Sequence, residues 1–171
     1  MSLQGISSDE LERLPGIESL PEPGLEFLFG MSLSVEEPEH IGSTQLGERR
    51  IIGVSGGTFA GPQIRGRVLP GGSDWITARP DGVLVQDVRL ILQTEDGGDV
   101  LMTYRGLRHG PEPVMQRVNA GEDPDPSEYY FRTQPIFEAP RGSYEWLNRL
   151  MAVGVGRRLE SGVTYAVYTI S

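Results

Sequence analysis

The 171-residue chain carries 24 acidic and 15 basic side chains, a formal charge of −9, with 23 glycines, 13 prolines and no cysteine. That length suits one domain with a buried core, and the acidity argues against a nucleic-acid or anionic-membrane partner, since both need a basic face. Disulfide and thiol chemistry are excluded; with no basic leader before an apolar run and no apolar run of membrane-spanning length, the expectation is a soluble, cytoplasmic protein.

Residues 1–24 are polar, acidic and punctuated by proline, and read as a loosely held arm ahead of a domain spanning 25–171. Packing of that arm on a neighbouring subunit is the alternative. Its opening Met1-Ser2-Leu3 reads as a cloning remnant, and Ser8 to Glu12 as at most one helical turn. From Leu25 the pattern becomes strand after strand. Leu25–Val35 alternates as a first strand, Glu37–Leu46 reads as a polar loop carrying His40, and Arg49–Ser55 as a second strand. Gly56–Pro62 reads as a bend or bulge, and Gln63–Leu69 as a third strand tightly curved at Gly66.

Pro70-Gly71-Gly72 then bends the chain into the central hairpin. Arg79-Pro80-Asp81-Gly82 has type I turn chemistry and feeds the strand Val83–Leu92. If Arg79 pairs with Gly82, Asp74 falls opposite Asp87; a one-residue bulge at the glycine would break that register. The next reversal, Thr94–Asp99, contains Asp96-Gly97. A two-residue turn there sets Arg89 against Tyr104 on the return strand Val100–Leu107. Arg108–Glu128 shows hardly any period and reads as a long lid loop or a disordered excursion. Tyr129–Phe137 is an aromatic strand, and Gly142–Leu147 one capped helical turn. Asn148–Leu159 has helical spacing at Leu150, Met151 and Val153, but Gly154 and Gly156 favour a closing hairpin through Ser161-Gly162 into Val163–Ile170. The class is all-β: eight to ten strands in consecutive antiparallel order, closed as an up-and-down, calycin- or lipocalin-like barrel that leaves no exposed edge.

Ser55-Gly56-Gly57-Thr58-Phe59-Ala60-Gly61, Leu69–Trp75, Asp87-Val88-Arg89, Thr94-Glu95-Asp96-Gly97, Tyr129–Thr133 and Tyr144–Asn148 occur in an order and spacing that resembles the domain of unknown function 3237 family. The resemblance covers roughly Leu25 to Ile170. It implies a closed β-barrel and no particular reaction, since the family lacks an assigned one.

In the two registers above, Asp74, Asp87, Arg89 and Tyr104 share one face of three adjacent strands. Paired carboxylates in a partly dry barrel would divide into acid and base, with Arg89 and Tyr104 stabilising developing charge. Trp75, Tyr130 and Trp146 would wall an aromatic or polyketide-like ligand, and Arg132 would pin its carboxylate or enolate. The expected function is a small-molecule-binding barrel, a cofactor-independent isomerase, hydro-lyase or cyclase. The alternatives are a carrier without chemistry, or a structural homo-oligomer using the Asp/Arg face as interface. In the blander reading, Leu84, Val88, Leu90 and Leu92 face the interior, Asp87–Arg89 is a solvated or inter-subunit ion pair, and Trp75 is ordinary core. His40 and His109 lack spaced ligand companions, so no metal site is expected, with His109 kept as an outside acid/base candidate. No serine elbow, phosphate loop or dinucleotide fingerprint is present, and no cofactor is expected.

Overall fold

A computed structural model describes residues 5–171; the opening Met-Ser-Leu lies outside the described residues. Among the latter, the alternating segments form ten strands: β1 (Leu25–Val35), β2 (Glu39–Thr44), β3 (Gly47–Ala60), β4 (Arg65–Val68), β5 (Gly72–Ala78), β6 (Leu84–Thr94), β7 (Asp99–His109), β8 (Tyr130–Glu138), β9 (Met151–Leu159) and β10 (Gly162–Ile170). Every pairing is antiparallel. The ring runs β1-β10-β9-β8-β7-β6, then β4 and β5 sharing one position, then β3, which pairs back onto β1 and closes an eight-position barrel. β2 is an extra strand on β3. The first and last strands are neighbours, and just beyond them Gly24 and Ser171 exchange both backbone hydrogen bonds at 3.1 Å.

Pro70 and Gly71 break what would otherwise be one strand into β4 and β5. Proline has no N–H for the ladder, and Gly71 takes φ +99°, a conformation that suits glycine. The inward faces follow the two-residue period: Phe29, Met31 and Leu33 on β1, Val88, Leu90 and Leu92 on β6, Phe131 and Phe137 on β8, Tyr165 and Val167 on β10. Gly154 and Gly156, which argued against a helix, lie on the inward side of β9. A Cβ at Gly154 would stand 2.2 Å from Thr133 Oγ1, and one at Gly156 2.7 Å from the Phe131 ring. These glycines make room for the large side chains of β8.

Three expectations change. The polar stretch around His40 is strand β2, paired to β3 through a turn at Gln45-Leu46. Gly56–Ala60 does not leave the sheet; β3 runs straight through it with a bulge at Ser55, where the pairing steps from Val35↔Val54 to Ser34↔Gly56. The segment expected as a lid loop is ordered: β7 extends to His109, and a helix follows at Glu112–Asn119. This is α2, after a short α1 at Ser8–Leu11 in the arm. Pro111 and Pro113 sit at the start of α2, where no intrahelical N–H is required. Val118 is buried against the barrel end. A 3-10 turn at Pro126–Glu128 is held by a capping box, with Asp125 accepting from the Ser127 N–H at 2.8 Å and Glu128 from the Asp125 N–H at 3.0 Å. The single helical turn expected near Tyr144 is the 3-10 turn Glu145–Arg149. No helix among the described residues is long and apolar enough to cross a membrane.

Candidate functional site

Two hairpin loops decide what faces inward. In the β5–β6 loop the Gly82 N–H donates to the Arg79 carbonyl at 3.1 Å, and the Arg79 N–H donates to the Val83 carbonyl at 2.9 Å. In the β6–β7 loop Gly97 donates to Thr94 at 2.9 Å and Thr94 to Gly98 at 2.8 Å. Both are three-residue loops, a type I turn followed by a left-handed glycine, with Gly82 at φ +84° and Gly97 at φ +87°. Each adds one residue to the two-residue loop that simple counting assumes. Asp74 therefore lies opposite Val88, and Val88 opposite Tyr104.

The expected pairing of Asp74 with Asp87 does not form. Asp74 and Tyr104 point inward, because the two one-residue shifts cancel between β5 and β7. Asp87 and Arg89 point outward and pair with each other at 3.2 Å, with side chains 38% and 60% exposed. Trp75 is also outside, 41% exposed, its indole N–H donating to Ser73 Oγ at 3.0 Å, so it is neither pocket wall nor core. Tyr130 sits on the outer face of β8, stacked on His109 at 4.9 Å between centroids with the Arg132 guanidinium 5.2 Å from its ring. Trp146 borders a separate hollow with Phe27, Pro62 and Leu150. Of the eight residues singled out, Asp74 and Tyr104 share the interior cavity.

That cavity has a volume of about 330 Å³ and lies toward the α2 end of the barrel. Its walls are mainly aliphatic and aromatic: Leu33, Val54, Ile76, Leu84, Val88, Phe131 and Val163, with Val118 and Asn119 of α2 over the end. Polar groups converge inside it. Gln86 Nε2 donates to Asp74 Oδ2 at 2.8 Å and lies 3.5 Å from the Tyr165 hydroxyl. The Tyr104 and Tyr165 rings meet edge to face at 5.5 Å. Asp74 Oδ1 and Gln86 Oε1 are buried without a protein hydrogen-bond partner. Unpartnered buried polar atoms are costly, and both belong to side chains that line the cavity.

Burial raises the Asp74 carboxyl to about 6, against the opposing pull of the Gln86 amide, the Asp87 backbone N–H and the Arg108 and Arg50 charges. Burial also pushes Tyr104 and Tyr165 well up, so both remain neutral hydroxyl donors. Arg108 falls to about 10, through burial first and then repulsion from Arg50 and Arg158, partly offset by the two tyrosines Tyr165 and Tyr129. The arrangement places one carboxylate that titrates near neutrality beside neutral O–H donors in a largely apolar enclosure. Such a site can remove a proton from a bound molecule and return it elsewhere. Gln86, Tyr165 and the three arginines were not anticipated. Gln86 sits two residues from Val88 on the apolar period of β6, and Arg108 four residues from Tyr104 on β7. A polar residue breaking an apolar period was the available signal, once that face was known to be interior. Among the described residues no group of three or more His, Cys, Asp or Glu is placed to hold a metal ion.

The model of the family described as "Protein of unknown function (DUF3237)" matches residues 23–170. A UPF0311 protein of Clostridium acetobutylicum is 33% identical over 156 residues, 91% of this chain and 99% of that protein. The crystal structure of a conserved protein of unknown function from Rhodopseudomonas palustris superposes with a TM-score of 0.85 at 31% identity, covering 89% of this chain and all of that one. A "hydroalkoxylation enzyme" of Penicillium herquei is 32% identical over 81 residues, 47% of this chain and 54% of the enzyme.

Proposed function

We propose that this chain, which belongs to the DUF3237 family by a match across residues 23–170, binds a small, largely apolar or aromatic organic molecule inside its barrel and performs acid/base proton transfer on it. Asp74 is the proton-transfer group. Gln86 holds one of its oxygens at 2.8 Å, and the other has no hydrogen-bond partner in the protein. Tyr104 and Tyr165, held neutral, donate to the oxygen on which charge develops. The single observation that carries this reading is one buried carboxylate raised to about 6 in a 330 Å³ cavity inside the barrel. The partial likeness to a hydroalkoxylation enzyme supports the same class of chemistry. Adding an O–H across a C=C bond requires one proton to leave oxygen and one to arrive at carbon. Isomerisation, hydration or dehydration, and cyclisation through such an addition are the reactions within reach of this site.

The test begins with a thermal-shift panel of aromatic acids, phenols, lactones and enones. Each ligand that stabilises the protein is then incubated in D2O with wild type and with Asp74→Asn. Wild type is expected to place deuterium on the ligand at a rate that rises with pH through about 6, as the carboxylate ionises. Asp74→Asn should retain binding and lose exchange by about a hundredfold or more. Equal exchange by both proteins removes Asp74 from the role; binding with no exchange by either would make the barrel a carrier.

A further inference from the structure

Three guanidiniums line the same cavity as Asp74. Arg50 on β3, Arg108 on β7 and Arg158 on β9 all project from the ends of their strands nearest α2. Register places them together. Arg50 pairs with Ile76, two residues from Asp74; Arg108 pairs with Leu84 and Phe131; Arg158 pairs with Val163, two residues from Tyr165.

Arg108 is buried with too little around it for its charge, while Arg50 and Arg158 are only partly buried. Arg108 is 93% buried by area, its exposure being 7%. It finds only Asn119 Oδ1 at 3.4 Å and the face of Phe131 at 5.7 Å, and its Nε has no partner. Arg50 Nε is also buried and unpartnered. Arg158 donates to the Leu159 and Gly162 carbonyls, which are neutral. Among the described residues none of the three forms an ion pair. The cavity thus carries three positive groups against one carboxylate, in a protein whose total charge is −9. Buried charges are normally paired, and an unpaired guanidinium fork presents the geometry that grips a carboxylate with two parallel hydrogen bonds.

We infer that the ligand of this cavity is a carboxylic acid, its carboxylate bound by Arg108 with Arg50 and Arg158 at the α2 end, and its apolar body extending inward to Asp74. The inference rests on the reading of this cavity as the ligand site, and it defines the class of molecule bound there. It also sets polarity. Arg108 lies four residues along β7 from Tyr104, about 13 Å of strand, and Arg50 stands opposite Ile76, two residues from Asp74, so the acid group lies on the α2 side of the centre that exchanges protons. Asp74 repels a carboxylate from the inner end and so enforces that orientation.

The test uses matched pairs: cinnamate, phenylacetate and 4-hydroxybenzoate against their methyl esters, measured by isothermal titration with the full chain. Each acid that binds should do so about tenfold or more tightly than its ester, a difference of about 1.4 kcal/mol. Arg108→Gln and Arg50→Gln, each checked for an unchanged circular-dichroism spectrum, should abolish that preference while leaving ester affinity nearly unchanged. Arg108→Lys should restore part of it. Asp74→Asn should retain the preference, whatever it does to deuterium exchange, so the acid-binding and proton-transfer readings fail separately. Esters binding as tightly as acids, no acid binding even at millimolar concentration, or a preference that survives both arginine substitutions would each overturn the inference.

Discussion

Asp74 titrates where it does because its carboxyl is taken out of water into the barrel interior, and that has a consequence for stability. In the unfolded chain the carboxyl ionises near its ordinary value of 3.8, whereas in the barrel it holds its proton to about 6. Between these values the native state binds more protons, so its stability falls as pH rises from about 4 to about 6 and stays lower above that. Below about 4 both states are protonated and the penalty is absent. Asparagine has nearly the same shape and no such titration. Asp74→Asn should therefore melt several degrees above wild type at pH 7.5, corresponding to about 3 kcal/mol, and the gap should close as the pH is lowered to 4. A melting difference that does not vary with pH would mean that burial is not what raises the carboxyl. The cavity retains a destabilising group, which is the pattern expected where stability is traded for chemistry.

At the scale of elements, the hairpins were legible in the sequence and their registers were not. Asp81-Gly82 and Asp96-Gly97 announce reversals, but the same dipeptide serves a two-residue type I′ loop and a three-residue loop whose last residue is a left-handed glycine. Hydrophobic alternation failed to arbitrate because β6 is apolar on both faces: Val88, Leu90 and Leu92 inward, half-exposed Ile91 and partly buried Val85 outward. One residue of slip exchanged Asp87 and Arg89 for Gln86 and Val88, which is why half of the expected acid/base set lies on the outer surface. The helix α2 was missed because Arg108–Glu128 shows hardly any period, although its prolines fall at the helix start, where they are tolerated. Gly97 offers a check on the left-handed turn residue. Nothing lies within 4 Å of where its Cβ would be, so Gly97→Ala suffers only the left-handed backbone penalty, about 1–2 kcal/mol. Chemical denaturation should show that loss, with Gly97→Asn recovering part of it; an alanine variant as stable as wild type would contradict the left-handed conformation at Gly97.

For the whole molecule, the barrel, its antiparallel order and its closing hairpin were readable because period-two alternation and turn chemistry repeat along the chain, and glycines at 154 and 156 outweighed a helical spacing of apolar residues. The cavity was not readable, because its polar lining comes from strands far apart in sequence: Arg50, Asp74, Arg108 and Tyr165 meet only when the ring closes. That closure depends on β1, which joins β10 on one side and β3 on the other. Because Gly24 and Ser171 are already held together by two backbone hydrogen bonds, the covalent beginning of the barrel is an accident of connectivity. A circular permutant with Ser171 joined to Gly24 by a short glycine linker, and new ends opened between Glu95 and Asp96, should show a native circular-dichroism spectrum and cooperative melting. The eight-position ring has no privileged first strand, so its ends can be moved around the circle, as the starting point of a closed loop can be.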